Sequence, residues 1–254
     1  MFRPLFRSLT NRQLKLTVQR NGIITSRQPL PRIQMPVQKV FIQPRWYSTP
    51  QQQQCWHCGT PTKSTSVICE NPECHSIQPV QPQVNYFDLL LEGYKYYRKE
   101  HTFDVDMKAM RFKFLTLQQK AHPDSYSQSS KKEHEYAQLQ SSLLNKAYGT
   151  LKDPLARARY MLELEDVEVS ESDSLHEPEL LMEVMELREE LDEVTNEEEL
   201  DQVKQTNDAK YQETVKNLSE AFKSKDLDHA KELMIQLQYW ETIRRAIIEW
   251  SPSQ

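Results

Sequence analysis

Apolar residues recur at three- and four-residue steps along the second half of the chain, which is the spacing of one helix face. The first run predicts a helix that begins after Asp106, a residue type suited to an N-cap. That helix must end at His122, because the residue before Pro123 is pushed out of helical conformations. Its predicted inner face consists of Met107, Met110, Phe114, Leu117 and Ala121.

A second helix is predicted from about Lys131 to Leu151, after a polar loop over residues 125–130. Its inner face is expected to carry Leu139, Leu143, Ala147 and Leu151. The two helices would lie antiparallel, and the loop between them would begin with His122-Pro123-Asp124.

Three more helices follow, over about residues 177–194, 196–222 and 227–250, with a turn at Lys225-Asp226. The first has an apolar stripe of Leu180, Val184, Leu187, Leu191 and Val194. Three helices of this length make a minimal antiparallel bundle. Only four glycines occur in 254 residues, which also favours helix. The predicted fold class is therefore all-α, a helical hairpin followed by a three-helix bundle.

The N-terminal 47 residues are basic and contain no acidic residue. Nine positive charges lie there: Arg3, Arg7, Arg12, Lys15, Arg20, Arg27, Arg32, Lys39 and Arg45. This composition is typical of an organelle-import presequence, and Arg45-Trp46-Tyr47 is similar to a matrix-type cleavage site. The alternative is a basic arm that binds nucleic acid. We favour import into the mitochondrial matrix, and a second, cytosolic pool stays open.

Removal of those nine charges takes the formal net charge from −5 to −14. A mature chain this acidic argues against the nucleic-acid backbone as a partner. No run approaches 18 uninterrupted apolar residues, so no membrane-spanning helix is expected.

All four cysteines lie within twenty residues, in the pattern Cys55-x2-Cys58-x10-Cys69-x4-Cys74. Two close pairs of thiols suit a tetrahedral zinc ion, and a reducing compartment disfavours disulfides. Zinc is the predicted cofactor; an iron centre of the rubredoxin type and a redox pair remain alternatives. His57 or His75, each beside a cysteine, could replace one ligand.

Several short motifs resemble the J-domain signature. They are residues 86–90 (Tyr-Phe-Asp-Leu-Leu), His122-Pro123-Asp124, residues 144–148 (Leu-Asn-Lys-Ala-Tyr), Leu151, Asp153-Pro154 and Arg157. The resemblance implies that the tripeptide stimulates the ATPase of a DnaK-type chaperone. It also implies that a basic stripe with Lys113 and Lys120 docks on that chaperone; the alternative is that both lysines only form a solvated face. Catalysis by this chain itself is not expected, since no nucleophile lies near the tripeptide.

A four-cysteine module directly before a J-domain resembles the animal form of the HscB family of iron–sulfur co-chaperones. In that family we expect two residues, not four, between the second pair of cysteines, which leaves the metal geometry open. Residues 180–193 also resemble the helix with which the family grips its cluster scaffold protein. The resemblance assigns scaffold contacts to Leu181, Met182, Met185, Glu186, Glu189 and Tyr239. Alternatively, the bundle buries two sides of this helix.

The expected organisation is a presequence (1–47), a linker with the zinc module (48–82), a J-domain (83–165) and a scaffold-binding domain (166–254). The leading hypothesis is a co-chaperone that delivers the scaffold to a mitochondrial DnaK-type chaperone. One rival is a J-protein with other clients that uses the metal module for recognition. Another is a thiol redox enzyme. The oligomeric state is open between a monomer and a homodimer.

Overall fold

The computed structural model describes residues 53–93, 101–170 and 178–250. The predicted presequence lies outside the described residues. In chain order the elements are β1 (Gln53–Gln54), β2 (Pro61–Thr62), α1 (Tyr86–Leu91), α2 (Met107–Ala121), a 3-10 turn (Pro123–Tyr126), α3 (Lys131–Lys152), α4 (Pro154–Leu164), α5 (Pro178–Glu193), α6 (Glu197–Ser224) and α7 (Leu227–Glu249). The all-α prediction is confirmed, and none of the described helices is long and apolar enough to cross a membrane.

The ends of the long helices follow from local capping. Asp106 accepts hydrogen bonds from the amides of Lys108 and Ala109, both at 3.0 Å, so the predicted N-cap of α2 is confirmed. Lys225 ends α6 in the left-handed region at φ 59°, and Asp226 then caps α7. The predicted turn at these two residues is therefore present.

The inner face of α3 differs from the prediction. Leu139 is 55% exposed, and the buried residues are Ala137, Gln140, Leu144, Ala147 and Leu151. Ala147 and Leu151 are thus buried as predicted, and Leu143 packs half-buried against the core. In the first half of the helix Gln140 lies inside in place of Leu139, and its side chain donates to the carbonyl oxygen of Gln78 at 3.0 Å. Met107, predicted inside on α2, is likewise exposed. It occupies the first position of the helix, which the neighbouring elements leave uncovered.

Helix α4 was not predicted as a separate element. It is only 11 residues long and begins with Pro154, capped by the side chain of Asp153. Proline is well tolerated there, because the first amides of a helix have no partner within the helix. Arg157 is buried on α4 and donates to the carbonyl oxygen of Leu151 at 2.6 Å. Its guanidinium also lies 4.6 Å from the centre of the Phe103 ring.

Helices α5, α6 and α7 form the predicted bundle. The α5 stripe is confirmed: Val184, Leu187 and Leu191 are buried, and Leu180 packs against the core. On α7, Trp240, Met234 and Leu237 are fully buried.

The helical hairpin and the bundle share one continuous hydrophobic core. Phe103, just before α2, stacks on Phe222 of α6 with ring centres 5.4 Å apart. Asp104 accepts from Lys223 and from Ser219, both at 2.7 Å. These contacts fix the hairpin against α6 on one side, while α4 packs against α7 on the other.

Candidate functional site

The His-Pro-Asp tripeptide lies in the loop between α2 and α3. His122 is the first extended residue after α2, at ψ 125°, and Pro123 starts the 3-10 turn. The Asp124 amide donates to His122 Nδ1 at 3.3 Å, and one oxygen of the Asp124 carboxylate lies 3.7 Å from the same nitrogen. The side chain of His122 is 52% exposed and that of Asp124 is 90% exposed. Both side chains are therefore presented to solvent on a defined backbone.

Contacts on both sides brace the loop. The Tyr126 hydroxyl donates to the carbonyl oxygen of Lys120 at 3.0 Å, which joins the loop to the last turn of α2. Ser130 then forms a capping box with Glu133 at the start of α3. The side chains of Tyr126 and Ser130, both residues of the loop, thus fix its two ends to α2 and α3.

The two lysines predicted to form a basic docking stripe on α2 differ in their exposure. Lys120 is exposed, whereas Lys113 is half-buried. Three further exposed residues of α2 were not predicted as part of this surface: Arg111, Phe112 (70% exposed) and Leu115 (53% exposed). The exposure of Phe112 and Leu115 could have been predicted, because both residues fall outside the predicted inner stripe of α2.

Leu115 lies in a shallow cleft that reaches the loop. The cleft has a volume of about 410 Å³ and is lined by Leu115, Gln118, Gln119, His122 and Ser125. The surface beside the tripeptide therefore combines the apolar side chain of Leu115 with the positive charge of Lys120.

Helix α5 presents an apolar face to solvent on the side opposite its buried stripe. Leu181, Met182 and Met185 are 40%, 60% and 55% exposed. The bundle therefore does not bury both sides of this helix. Glu186 and Glu189 are also exposed, and α5 carries seven acidic residues against one arginine. Tyr239, placed with them by the sequence interpretation, is half-buried on α7.

Such a face suits a partner that is apolar and basic. Exposed clusters of large apolar side chains mark interaction surfaces, and methionine adapts to partners of irregular shape. The acidic residues around the cluster add charge selection, since they repel acidic surfaces and attract basic ones.

The four cysteines converge at one point. Their Sγ atoms all lie within 4.8 Å of one another, with Cys55 and Cys74 3.8 Å apart and Cys58 and Cys69 3.7 Å apart. A tetrahedral ion with metal–sulfur distances of about 2.3 Å requires sulfur–sulfur distances of about 3.8 Å. A disulfide would need about 2.05 Å. The donor set therefore fits a tetrahedral metal ion.

Short backbone features build this cluster. Gly59 adopts φ 73°, and its amide donates to the carbonyl oxygen of Cys55 at 2.9 Å, which closes the turn between the first two cysteines. Asn71 accepts from the amides of Glu73 and Cys74, both at 3.0 Å. The four residues between the second pair thus form a compact turn, and the departure from the expected spacing does not disturb the cluster.

The electrostatics of the thiols also suit a cation. The hydroxyl and amide of Thr60 lower the pKa of Cys58 to about 6, whereas burial raises the pKa of Cys69 to about 12. Burial opposes ionisation of Cys55, but the amides of Cys58 and His57 lower its pKa on balance. A cation would stabilise all four thiolates together.

The two histidines beside the cysteines are not part of the cluster. His57 Nδ1 lies 3.5 Å from Cys74 Sγ, so it is placed to form a hydrogen bond with this sulfur atom. His75 has a left-handed backbone at φ 49° and follows Cys74 directly.

The fold and the tripeptide loop are together those expected of a J-type co-chaperone. Residues 176–248 match the family described as the HSCB C-terminal oligomerisation domain. The chain is 32% identical to the mouse iron–sulfur cluster co-chaperone protein HscB, over 76% of this chain and 81% of the relative. It is 33% identical to the Arabidopsis thaliana homologue, over 77% of this chain and 73% of that protein.

Solved structures agree with this relationship. The human co-chaperone HscB superimposes with a TM-score of 0.69 at 31% identity, over 78% of this chain and 98% of that chain. HscB from Vibrio cholerae gives a TM-score of 0.57 at 29% identity, over 65% of this chain and 96% of that chain. This chain belongs to the HscB family of iron–sulfur cluster co-chaperones. Its relatives are co-chaperones by name, which is consistent with a role other than catalysis.

Proposed function

We propose that this protein works in mitochondrial iron–sulfur cluster biogenesis as a co-chaperone. Its J-domain stimulates ATP hydrolysis by a DnaK-type chaperone, and its bundle delivers the cluster scaffold protein. The observation that carries the proposal is the exposed, braced His122-Pro123-Asp124 loop in a chain of this family. The domain boundaries predicted from the sequence are part of the same proposal.

The loop has the chemistry to engage a charged partner. The Asp124 side chain is 90% exposed, so its carboxylate is accessible to an arginine in the bidentate geometry that carboxylates favour. Its pose is set by Pro123 and by the amide contact with His122, so little conformational entropy is lost on docking. Lys113 and Lys120, with Arg111, supply the positive charge on the neighbouring face. Phe112 and Leu115 add apolar contact area.

The scaffold is proposed to dock on α5. The three exposed apolar residues Leu181, Met182 and Met185 form the centre of the contact, with Glu186 and Glu189 at its edge. Tyr239 contributes from α7. This assignment is supported by the exposure of the apolar face and by the exposed carboxylates beside it.

The metal is proposed to be zinc, held by Cys55, Cys58, Cys69 and Cys74. Zinc suits four thiolates at tetrahedral spacing and requires no redox change. When bound, it neutralises the thiolates and fixes a module that has little core of its own.

The mitochondrial matrix is the proposed location. Relatives in Saccharomyces cerevisiae and Schizosaccharomyces pombe are named as mitochondrial J-type co-chaperones. The basic residues 1–47 supply the corresponding import signal in the proposal.

The first test measures ATP hydrolysis by the DnaK-type chaperone with wild type and with His122→Gln. We expect the variant to lose stimulation and to retain scaffold binding, because the loop lies on a different surface from α5. His229→Gln, an exposed histidine on α7, is the matched control and should stimulate normally. Full stimulation by His122→Gln would disprove the role of the loop.

The second test measures binding of the scaffold to a Leu181→Ala/Met185→Ala double variant. We expect a loss of about tenfold or more, since central apolar contacts carry most of an interface's binding energy. Ile248→Ala removes a still more exposed apolar side chain from the same bundle and should bind as wild type. Unchanged binding by the double variant would remove the scaffold from the proposal.

A further inference from the structure

The four-cysteine module packs against the J-domain rather than standing apart from it. The Trp56 indole N–H donates to the carbonyl oxygen of Ile77 at 2.6 Å, which fixes the ring within the module. Its outer side meets α3: the ring centre is 5.9 Å from that of Tyr136 in an edge-on arrangement. Lys132 Nζ lies 4.0 Å from the same ring centre. These contacts fall on the first two turns of α3.

Two buried glutamines, Gln78 and Gln140, join a cysteine to α3. Gln78 is 4% exposed, and its amide donates to Cys55 Sγ at 3.2 Å and to the carbonyl oxygen of Ser76 at 2.8 Å. The Gln140 amide of α3 in turn donates to the backbone carbonyl oxygen of Gln78 at 3.0 Å. Gln140 is also 4% exposed, so loss of this contact would leave buried polar groups unpaired.

The other side of the module is tied to α1. Lys63 Nζ lies 3.2 Å from one carboxylate oxygen of Glu92, and Thr65 donates to the other at 3.1 Å. Val67 and Ile77 are buried in the same core as the helices. The module therefore links α1 and α3, the two elements that flank α2.

We propose that the four-cysteine centre is an effector site of the J-domain. Metal binding orders Cys55 and Gln78, and through Gln140 it stabilises the first half of α3, the helix that closes the His122 loop. Gln78 and Gln140 act as positioning residues. Because coupling between two sites is reciprocal, chaperone docking on the loop also tightens the hold on the metal. This last consequence rests on the proposed function.

The first experiment measures zinc release from the full chain to a chromogenic chelator. Gln140→Leu is expected to release zinc about fivefold faster, the effect of one ordinary hydrogen bond. Gln138→Leu is the matched control, because Gln138 is an exposed glutamine of the same helix that pairs only with His134 among described residues. Equal release rates for the two variants would overturn the coupling.

Hydrogen exchange on the wild-type chain provides a measurement that needs no variant. Zinc removal under reducing conditions should speed exchange of α3 amides over residues 132–140 as well as those of the module. The distant α7 amides serve as the internal reference and should be unaffected. An effect confined to residues 53–78 would overturn the proposal, even if Gln140→Leu proved too unstable to assay.

The reciprocal experiment adds the DnaK-type chaperone with ATP to the release assay. Zinc release from wild type should slow at saturating chaperone, and release from Gln140→Leu should not. If wild type does not stimulate the chaperone at all, the proposed function fails, while the two chaperone-free experiments still decide whether the centre and α3 are coupled. If stimulation is normal but release does not change, the reciprocal coupling is wrong.

Discussion

Leu144 and Leu139 lie on the same helix, five residues apart, and their side chains meet different surroundings. Leu144 is fully buried, whereas Leu139 is 55% exposed. Leu144→Ala should therefore lower the free energy of unfolding by about 2–5 kcal/mol through lost burial and a cavity. Leu139→Ala should change it by less than about 0.5 kcal/mol. Urea denaturation of both variants checks this, and similar losses would contradict the orientation of α3.

His101 is a second residue whose surroundings predict a measurable effect. Its ring stacks on Phe87 at 4.8 Å, and burial lowers its pKa, partly offset by Asp88 and Glu165. Around pH 6.5 and below, the unfolded chain therefore binds this proton more strongly than the folded chain does. Stability from this group is present above that pH and is lost as the pH falls below it.

The expected result is a smaller fall in unfolding free energy between pH 7 and pH 5 for His101→Gln than for wild type. Urea denaturation at each pH, with zinc in excess, provides the measurement. His229→Gln, which changes an exposed histidine, should keep the wild-type slope. Identical slopes for all three proteins would contradict the lowered pKa of His101 in the folded chain.

At the scale of elements, the start of α3 depends on a capping box. Ser130 Oγ accepts from the Glu133 amide at 3.3 Å, and Glu133 Oε2 accepts from the Ser130 amide at 3.2 Å. Ser130→Ala should cost about 1 kcal/mol of stability. Ser129→Ala, one residue earlier and outside the cap, should be neutral. Chemical denaturation compares them, and equal stability would mean that the box contributes nothing.

Much of the helical order was predictable from sequence, because the signals are local. Asp106 and Pro123 bound α2 by capping and by steric exclusion, which need no knowledge of distant residues. The face of α3 was not predictable in the same way. Gln140 lies inside because Gln78, 62 residues away in sequence, offers its carbonyl oxygen. A periodicity argument places the larger Leu139 inside instead.

For the candidate sites, too, local sequence signals were predictive and long-range contacts were not. The cysteine spacing predicted a cluster, and the structure brings the four Sγ atoms together. The exposure of the α5 face could also be anticipated, since Leu181, Met182 and Met185 lay outside the inner stripe. The link through Gln78 depends on a residue that is distant in sequence from α3, so no sequence motif pointed to it.

At the scale of the molecule, the tripeptide loop belongs to the helical hairpin and the α5 face to the bundle, and side-chain contacts fix these two parts to each other. Phe103 and Asp104 fix the hairpin to α6, and Arg157 lies beneath the Phe103 ring. A co-chaperone that passes a client to its chaperone benefits from such a joint, because the client is held at a defined distance from the docking loop. Docking of the loop and delivery of the client should therefore reinforce each other.

The steady-state ATPase rate of the DnaK-type chaperone, measured with this protein and the scaffold separately and together, tests the central claim most directly. The proposed function predicts that the rate with both exceeds the product of the separate stimulations, and that His122→Gln abolishes this excess. A rate that is no greater with both than with this protein alone would contradict scaffold delivery. Undiminished stimulation by His122→Gln would contradict the role of the loop.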